Sequence, residues 1–147
     1  MRLTKHTDYA LRVLLYAATH SERMVSTEEI SNAYGISANH LVKIINSLGK
    51  AGLLEVKRGR AGGLRLAREP ADISVGAVVR LTEPDFHMVE CFDRENNTCP
   101  IVGACGLIPP LDEAVRAFLE VLDRYTLADV TGPRQRAKYR RLLKLLG

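Results

Sequence analysis

Tryptophan is absent from the 147 residues, and only three Phe and five Tyr are present. A core built from this chain must be aliphatic, drawn from the Leu, Val, Ile and Ala of its periodic stretches. Long apolar runs are also missing, and none approaches the roughly 20 residues needed to span a bilayer. The opening stretch MRLTKHTDYALRVLL carries Asp8 and Arg12 among its apolar positions. No small-residue cleavage site follows, so it does not read as a signal peptide. These absences predict a soluble, cytoplasmic chain. Catalytic constellations are missing as well. There is no H-E-x-x-H pattern, no nucleophile–base pair and no glycine loop at a strand–helix junction, so no enzyme is expected. Cysteine occurs three times, always between Cys91 and Cys105. An odd number argues against a disulfide framework, and the clustering argues for a metal or cluster site.

The net charge of +4 hides a strong segregation. Residues 1–70 carry eleven Lys/Arg against six Asp/Glu. Residues 71–131 carry four against eleven, and residues 132–147 carry six cations and no acid. A basic front beside an acidic middle suggests that the front meets a polyanion. The same boundaries divide the chain into a first unit (1–70), a middle unit (71–131) and a basic tail (132–147).

Periodicity gives the front its shape. Leu11, Val13–Leu15 and Ala17–Ala18 form a helical stripe from about Thr4, a plausible N-cap, to Thr19. Ser26-Thr-Glu-Glu29 is a capping box that should open a short helix stopped by Gly35. Ser37 is placed to cap a second helix, Ala38 to about Ala51, with Leu41, Ile44, Ile45 and Leu48 on one face. Two short helices around a tight glycine turn make a helix-turn-helix. Leu53–Lys57 and Leu64–Ala67 read as strands flanking Arg58-Gly-Arg-Ala-Gly-Gly63, a β-hairpin wing with a cationic tip. The predicted fold is mainly α: a winged helix-turn-helix with a two-stranded β wing, followed by a long C-terminal helix.

That arrangement predicts binding to double-stranded DNA. The helix from Ala38 would enter the major groove and offer Ser37, Asn39, His40, Lys43 and Asn46 to base edges. Arg58 and Arg60 would reach phosphates or the minor groove. The helix capped by Ser26 would hold a phosphate on its free N–H groups.

The middle unit begins with a Ser74-capped helix to about Thr82. A loop from Glu83 to Gly106 follows, and then a long helix from about Pro110 to Tyr125 with Leu111, Val115, Phe118, Leu119 and Leu122 on one face. Thr126–Asp129 reads as a capped turn. The tail from Arg134 either lies on DNA, adding salt-dependent affinity, or packs Leu142, Leu143 and Leu146 on the body as an amphipathic helix. Within the loop the spacing is Cys91-x7-Cys99-x5-Cys105. Three thiolates suit an iron–sulfur cluster or zinc with a fourth ligand such as the nearby His87, and free thiols are the remaining reading.

Leu3-Thr-Lys-His-Thr-Asp-Tyr-Ala-Leu-Arg12, Asn39-His-Leu-Val-Lys43, Arg58–Gly63 and the three-cysteine loop together resemble the Rrf-type family of winged-helix repressors, over nearly the whole chain to about Asp129. Within it the nitric-oxide-sensing branch is the nearest in pattern. The resemblance implies a homodimer joined largely through the long helix. It also implies an iron–sulfur cluster, usually 4Fe-4S with 2Fe-2S as the alternative, held by Cys91, Cys99 and Cys105. In some members an aspartate from the partner's first helix is the fourth ligand, at the position of Asp8. Repression of a palindromic operator would then end when nitric oxide attacks the cluster or the cluster is lost. Met88-Val-Glu-Cys-Phe92 also resembles an iron-responsive branch of the same family, but Asp8 favours the nitric-oxide branch. A zinc-stabilised winged helix without a sensor role is the further alternative.

Overall fold

The computed structural model describes residues 2–60 and 62–146, with side chains described through Lys144. Ala61 at the wing tip and the predicted packing of Leu146 lie outside the described residues. In chain order the elements are α1 (Lys5–Thr19), α2 (Thr27–Tyr34), α3 (Ala38–Lys50), β1 (Leu54–Lys57), β2 (Gly63–Leu66), α4 (Val75–Thr82), α5 (Ile108–Asp123), α6 (Leu127–Val130) and α7 (Pro133–Leu146). Single 3-10 turns lie at Pro70–Asp72 and Glu90–Phe92.

The helices and hairpin predicted for the front of the chain are present. The Thr4 hydroxyl accepts from the Thr7 N–H and starts α1. The Ser26–Glu29 capping box closes on both sides, and Gly35 ends α2 at φ +63°, a conformation that favours glycine. Ser37 is the boundary residue of α3 but makes no side-chain cap bond. Its role as a side-chain cap is therefore corrected: the first turn of α3 is held only by backbone bonds from His40 and Leu41 to the Ser37 carbonyl.

The strands pair antiparallel, with Leu54 opposite Leu66 and Val56 opposite Leu64. One support was not foreseen. Val25, in the link before α2, exchanges backbone bonds of 2.9 and 2.8 Å with Leu64. The wing is thereby tied at its root to the helix-turn-helix.

The core is mainly aliphatic, as the composition implied, with Tyr16 as its buried aromatic. Ala10, Val13, Leu14 and Ala17 of α1 pack with Ile30, Leu41, Ile44, Ile45, Leu48 and Leu64. Each fully buried Leu, Ile or Val contributes about 1.5–3 kcal/mol, so this cluster fixes α3 relative to α1. It also continues past Pro70 into Ile73, Val78 and Leu127.

Two boundaries differ from the periodic reading. α5 begins at Ile108 rather than Pro110, because Pro109 and Pro110 fall in the first turn, where a missing N–H costs nothing. It ends at Asp123 rather than Tyr125, because the Tyr125 carbonyl accepts from the Val75 N–H at 2.8 Å instead. The tail is helical. Leu143 packs on the core, but Leu142 is 52% exposed, which corrects its predicted burial. The side chains at i, i+3 and i+7 facing inward are Arg136, Tyr139 and Leu143, so Leu142 falls on the outer side.

Candidate functional site

α3 lies on the surface with its apolar face sealed inward. Asn39, Lys43, Asn46 and Lys50 recur at i, i+4, i+7 and i+11, and all four are exposed. They form one polar stripe along the helix. Ser37 and His40 are exposed beside its start. The stripe reaches a cleft of about 510 Å³ between α3 and the wing, lined by Asn46, Gly49, Lys50, Leu54, Val56 and Arg58. Lys50 lines this cleft beside the predicted Arg58 and was not among the residues expected from the sequence. The i+4 spacing of Lys50 from Asn46 was the signal that could have found it.

On the wing, Arg58 and Arg60 are exposed, and neither makes an ion pair among the described residues. Arg65, by contrast, is committed to Glu55 at 2.7 Å. The cationic potential of the hairpin therefore concentrates at its tip. Ser26 sits differently from the other predicted contacts. Its hydroxyl accepts from the Glu29 N–H at 3.0 Å, and its own N–H donates to the Glu29 carboxylate at 2.7 Å. Arg23 donates to the same carboxylate and holds its pKa below the ordinary value. The hydroxyl is spent on the cap, and only the Thr27 and Glu28 N–H groups of that turn remain for an anion.

The cysteine loop is built without a core. No residue from 83 to 126 is fully buried. Local polar bonds shape it instead. Glu90 accepts from the Thr98 N–H at 2.6 Å and from its hydroxyl at 2.7 Å. This brace joins the residues immediately before Cys91 and Cys99. The Asn97 side chain accepts from the Cys99 N–H at 3.0 Å. All three thiols are free and half-buried. Nothing within 4 Å would meet a Cβ at Gly103 or Gly106, so the backbone around Cys105 is open. As a donor set, three unpaired thiols suit a thiophilic metal or cluster. Among the described residues, however, no three His, Cys, Asp or Glu side chains converge into a metal-binding group. His87 faces Asp85 at 3.8 Å instead.

Asp8 occupies the first turn of α1 and is engaged within its own chain. Arg12 donates from Nε to Oδ1 at 3.0 Å and from an Nη to Oδ2 at 2.8 Å. The Arg12 guanidinium also lies 5.8 Å from the ring centroid of Tyr34, at the end of α2. Burial pushes the Tyr34 phenol up to about 12. One residue ahead of α1, Thr4 donates to Glu83 from its N–H at 2.8 Å and from its hydroxyl at 3.1 Å. Glu83 begins the cysteine-loop segment, so the loop is tied to the start of α1.

α5 carries its apolar stripe, Leu111, Val115, Phe118, Leu119 and Leu122, half-buried, and no residue of the helix is fully buried. At its far end Asp123 pairs with Arg80 of α4, an exposed contact beside the close approach of Gly76. No described helix is long and apolar enough to cross a membrane.

Comparison with known proteins accords with this architecture. Residues 3–133 match the family model Rrf2, described as an iron-dependent transcriptional regulator. The HTH-type transcriptional regulator NsrR of Bacillus subtilis is 50% identical over 131 residues, 88% of this chain and 90% of that one. The protein of the same name from Geobacillus kaustophilus is 50% identical over 145 residues, 98% and 97% of the two chains. Among solved structures, T. potens IscR superposes with a TM-score of 0.74 at 29% identity, covering 94% of this chain and 91% of that one. CymR of B. subtilis, a global cysteine regulator, does so at 0.68 with 27% identity, covering 89% and 96%. These relatives are regulators, not enzymes. The chain belongs to the Rrf2 family of winged-helix, DNA-binding transcription regulators.

Proposed function

We propose that this chain is a homodimeric repressor that senses nitric oxide through an iron–sulfur cluster and leaves its operator when the cluster is attacked or lost. The observation that carries this reading is the cysteine loop: three free thiols on a segment with no fully buried residue, beside a helix whose apolar face is only half covered. Such a site is incomplete in one chain and is completed by a second copy. Burial of the α5 stripe against its counterpart supplies the apolar area for that dimer.

Cys91, Cys99 and Cys105 would hold the cluster, 4Fe-4S by family resemblance, with Asp8 of the partner subunit as fourth ligand. The cluster supplies iron that nitric oxide can attack, most readily where a hard carboxylate rather than a thiolate holds it. The chain's own residues allow the exchange. The Asp8–Arg12 pair is 45% and 40% exposed, so it is worth no more than about 1 kcal/mol. Asp8 can leave Arg12 at that cost, and Arg12 keeps its place over Tyr34 of the helix-turn-helix. Gain or loss of the Asp8 tie therefore acts on α1 and α2, on which α3 is packed. Two α3 helices read half-sites at a fixed spacing, so a small change in their relation shifts the population away from the DNA-bound state. In this reading the protein works in the cytoplasm, on DNA.

A DNA gel-shift titration of the anaerobically purified protein tests this. Nitric oxide is expected to release DNA and bleach broad visible absorption, and Asp8→Ala is expected to alter both responses. Colourless protein with stoichiometric zinc would sink the proposal. Release by an iron chelator with indifference to nitric oxide would favour the iron-responsive reading, which the family's iron-dependent description and the Met88–Phe92 segment support.

A further inference from the structure

The helix α7 begins at Pro133, where the family match ends. It carries six cations and no acid. Its inner face is committed to the body. Arg140 donates to the Thr19 carbonyl at 3.1 and 2.7 Å and pairs with Glu22 at 2.7 Å. Arg136 donates to the Thr131 carbonyl at 2.8 Å, and Leu143 packs on the core. These contacts set α7 against α1 and α2.

The outer face differs in kind. Arg134, Lys138 and Arg141 recur at i, i+4 and i+7, all exposed. At 100° per residue they fall within about 60° of one another, opposite Arg136, Tyr139 and Leu143. None of the three makes an ion pair among the described residues. A solubilising helix surface usually mixes both signs, whereas this one offers a row of one sign roughly 10 Å long. That length matches the axial rise of about three phosphates on one strand of duplex DNA. The row is carried on α2, and the first helix of a helix-turn-helix is the one that crosses the DNA backbone.

We propose that the Arg134–Lys138–Arg141 face of α7 is a second, sequence-independent DNA contact that binds backbone phosphates flanking the site read by α3 and the wing. The inference rests on the winged helix binding DNA. It adds a surface that supplies affinity and salt dependence rather than sequence choice.

The test measures binding of the full chain to a fluorescein-labelled 30-base-pair duplex of scrambled sequence, from 50 to 200 mM salt. Each lost phosphate contact lowers the slope of log affinity against log salt by about 0.9. The triple variant Arg134→Gln/Lys138→Gln/Arg141→Gln should therefore be shallower than the parent by up to about 2.7 per bound chain, so that the parent loses roughly 40-fold more affinity across that range. Its thermal melt should match the parent's, because the three side chains face outward. Arg94→Gln/Arg124→Gln, which removes exposed charge from the acidic middle, should change the slope much less per charge. A triple variant with the parent's slope, or the same slope change per charge in the control, overturns the proposal. So does a changed oligomeric state in the triple variant, which would place a second copy on this face. Arg58→Gln/Arg60→Gln separates the two layers of argument. If it loses binding while the triple variant does not, only the α7 contact is refuted. If neither variant changes binding, the winged-helix reading fails with it.

Discussion

Substituting alanine for Gly76 probes how α5 is seated. Gly76 lies in the first turn of α4, where that helix meets the end of α5. A Cβ at this position would stand 2.8 Å from the backbone nitrogen of Asp123 and 2.9 Å from its Cγ. Ordinary contact between such atoms needs about 3.5 Å, so α5 would have to retreat by roughly 0.7 Å. Side-chain rotation can clear Cγ, but it cannot clear the backbone nitrogen. Overpacking of this kind costs about 1–3 kcal/mol. Alanine's better helix propensity offsets less than about 1 kcal/mol, because the site is in the first turn. The net result is a lower urea midpoint, or a melting temperature down by about 2–4 °C per kcal/mol lost. Loss of the Arg80–Asp123 ion pair cannot account for a larger effect. Both partners are more than 40% exposed, so solvent screens the pair and its loss is a minor effect. Asp123→Ala alone should therefore cost less than Gly76→Ala, and the double variant should keep most of the Gly76→Ala loss. Urea titrations of the four proteins decide it. A Gly76→Ala midpoint equal to or above the parent's would refute the close approach of α4 and α5.

Leu14→Ala empties a fully buried position between α1 and its neighbours and should cost about 2–5 kcal/mol in urea unfolding. Ser26→Ala removes the hydroxyl half of the α2 capping box and should cost about 1 kcal/mol, with DNA affinity falling no further than stability explains. Tyr34 should make stability fall in alkali. The unfolded phenol ionises near 10 and the folded one only near 12, so between those values the unfolded state binds fewer protons and stability drops as pH rises. Tyr34→Phe should flatten that decline by up to about 1.4 kcal/mol per pH unit above 10 and change nothing below it, as read from urea midpoints across pH 9 to 11.5.

What could be read in advance followed from local chemistry. The Ser26–Glu29 box, Gly35 and the stripe Leu41–Leu48 each state their structure within one helical turn or two, and the winged helix is a sum of such statements. The Val25–Leu64 tie was hidden because backbone bonds between segments nearly 40 residues apart leave no side-chain pattern. Ser37 misled because a residue suited to capping also suits a bare boundary, and only geometry distinguishes them. Lys50 continues a visible spacing but lies at the end of the helix away from the first turn, where base contacts concentrate. The cysteine spacing named a donor set but no arrangement. A loop whose order comes from Glu90, Thr98 and Asn97 carries no periodic signal.

The contrast between the two parts of the molecule bears on how a signal could cross it. The α1–α3 core is sealed by a dozen or so fully apolar positions, and such packing does not yield to a small perturbation. The segment from 83 to 126 has no comparable anchor. What joins the two at the start of α1 is polar and part-buried: Thr4 donates to Glu83, while Asp8 to Arg12, with Arg12 over Tyr34, links α1 to α2 within the core part. Contacts of this class contribute about 1 kcal/mol each. A switch made of them has states separated by a few kcal/mol, and a ligand that distinguishes the two arrangements by that much can invert their populations. A coupling through the apolar core would demand far more. For the proposed switch, the adjustable contact is therefore the Thr4–Glu83 tie, where the cysteine-loop segment meets the helix on which α3 packs.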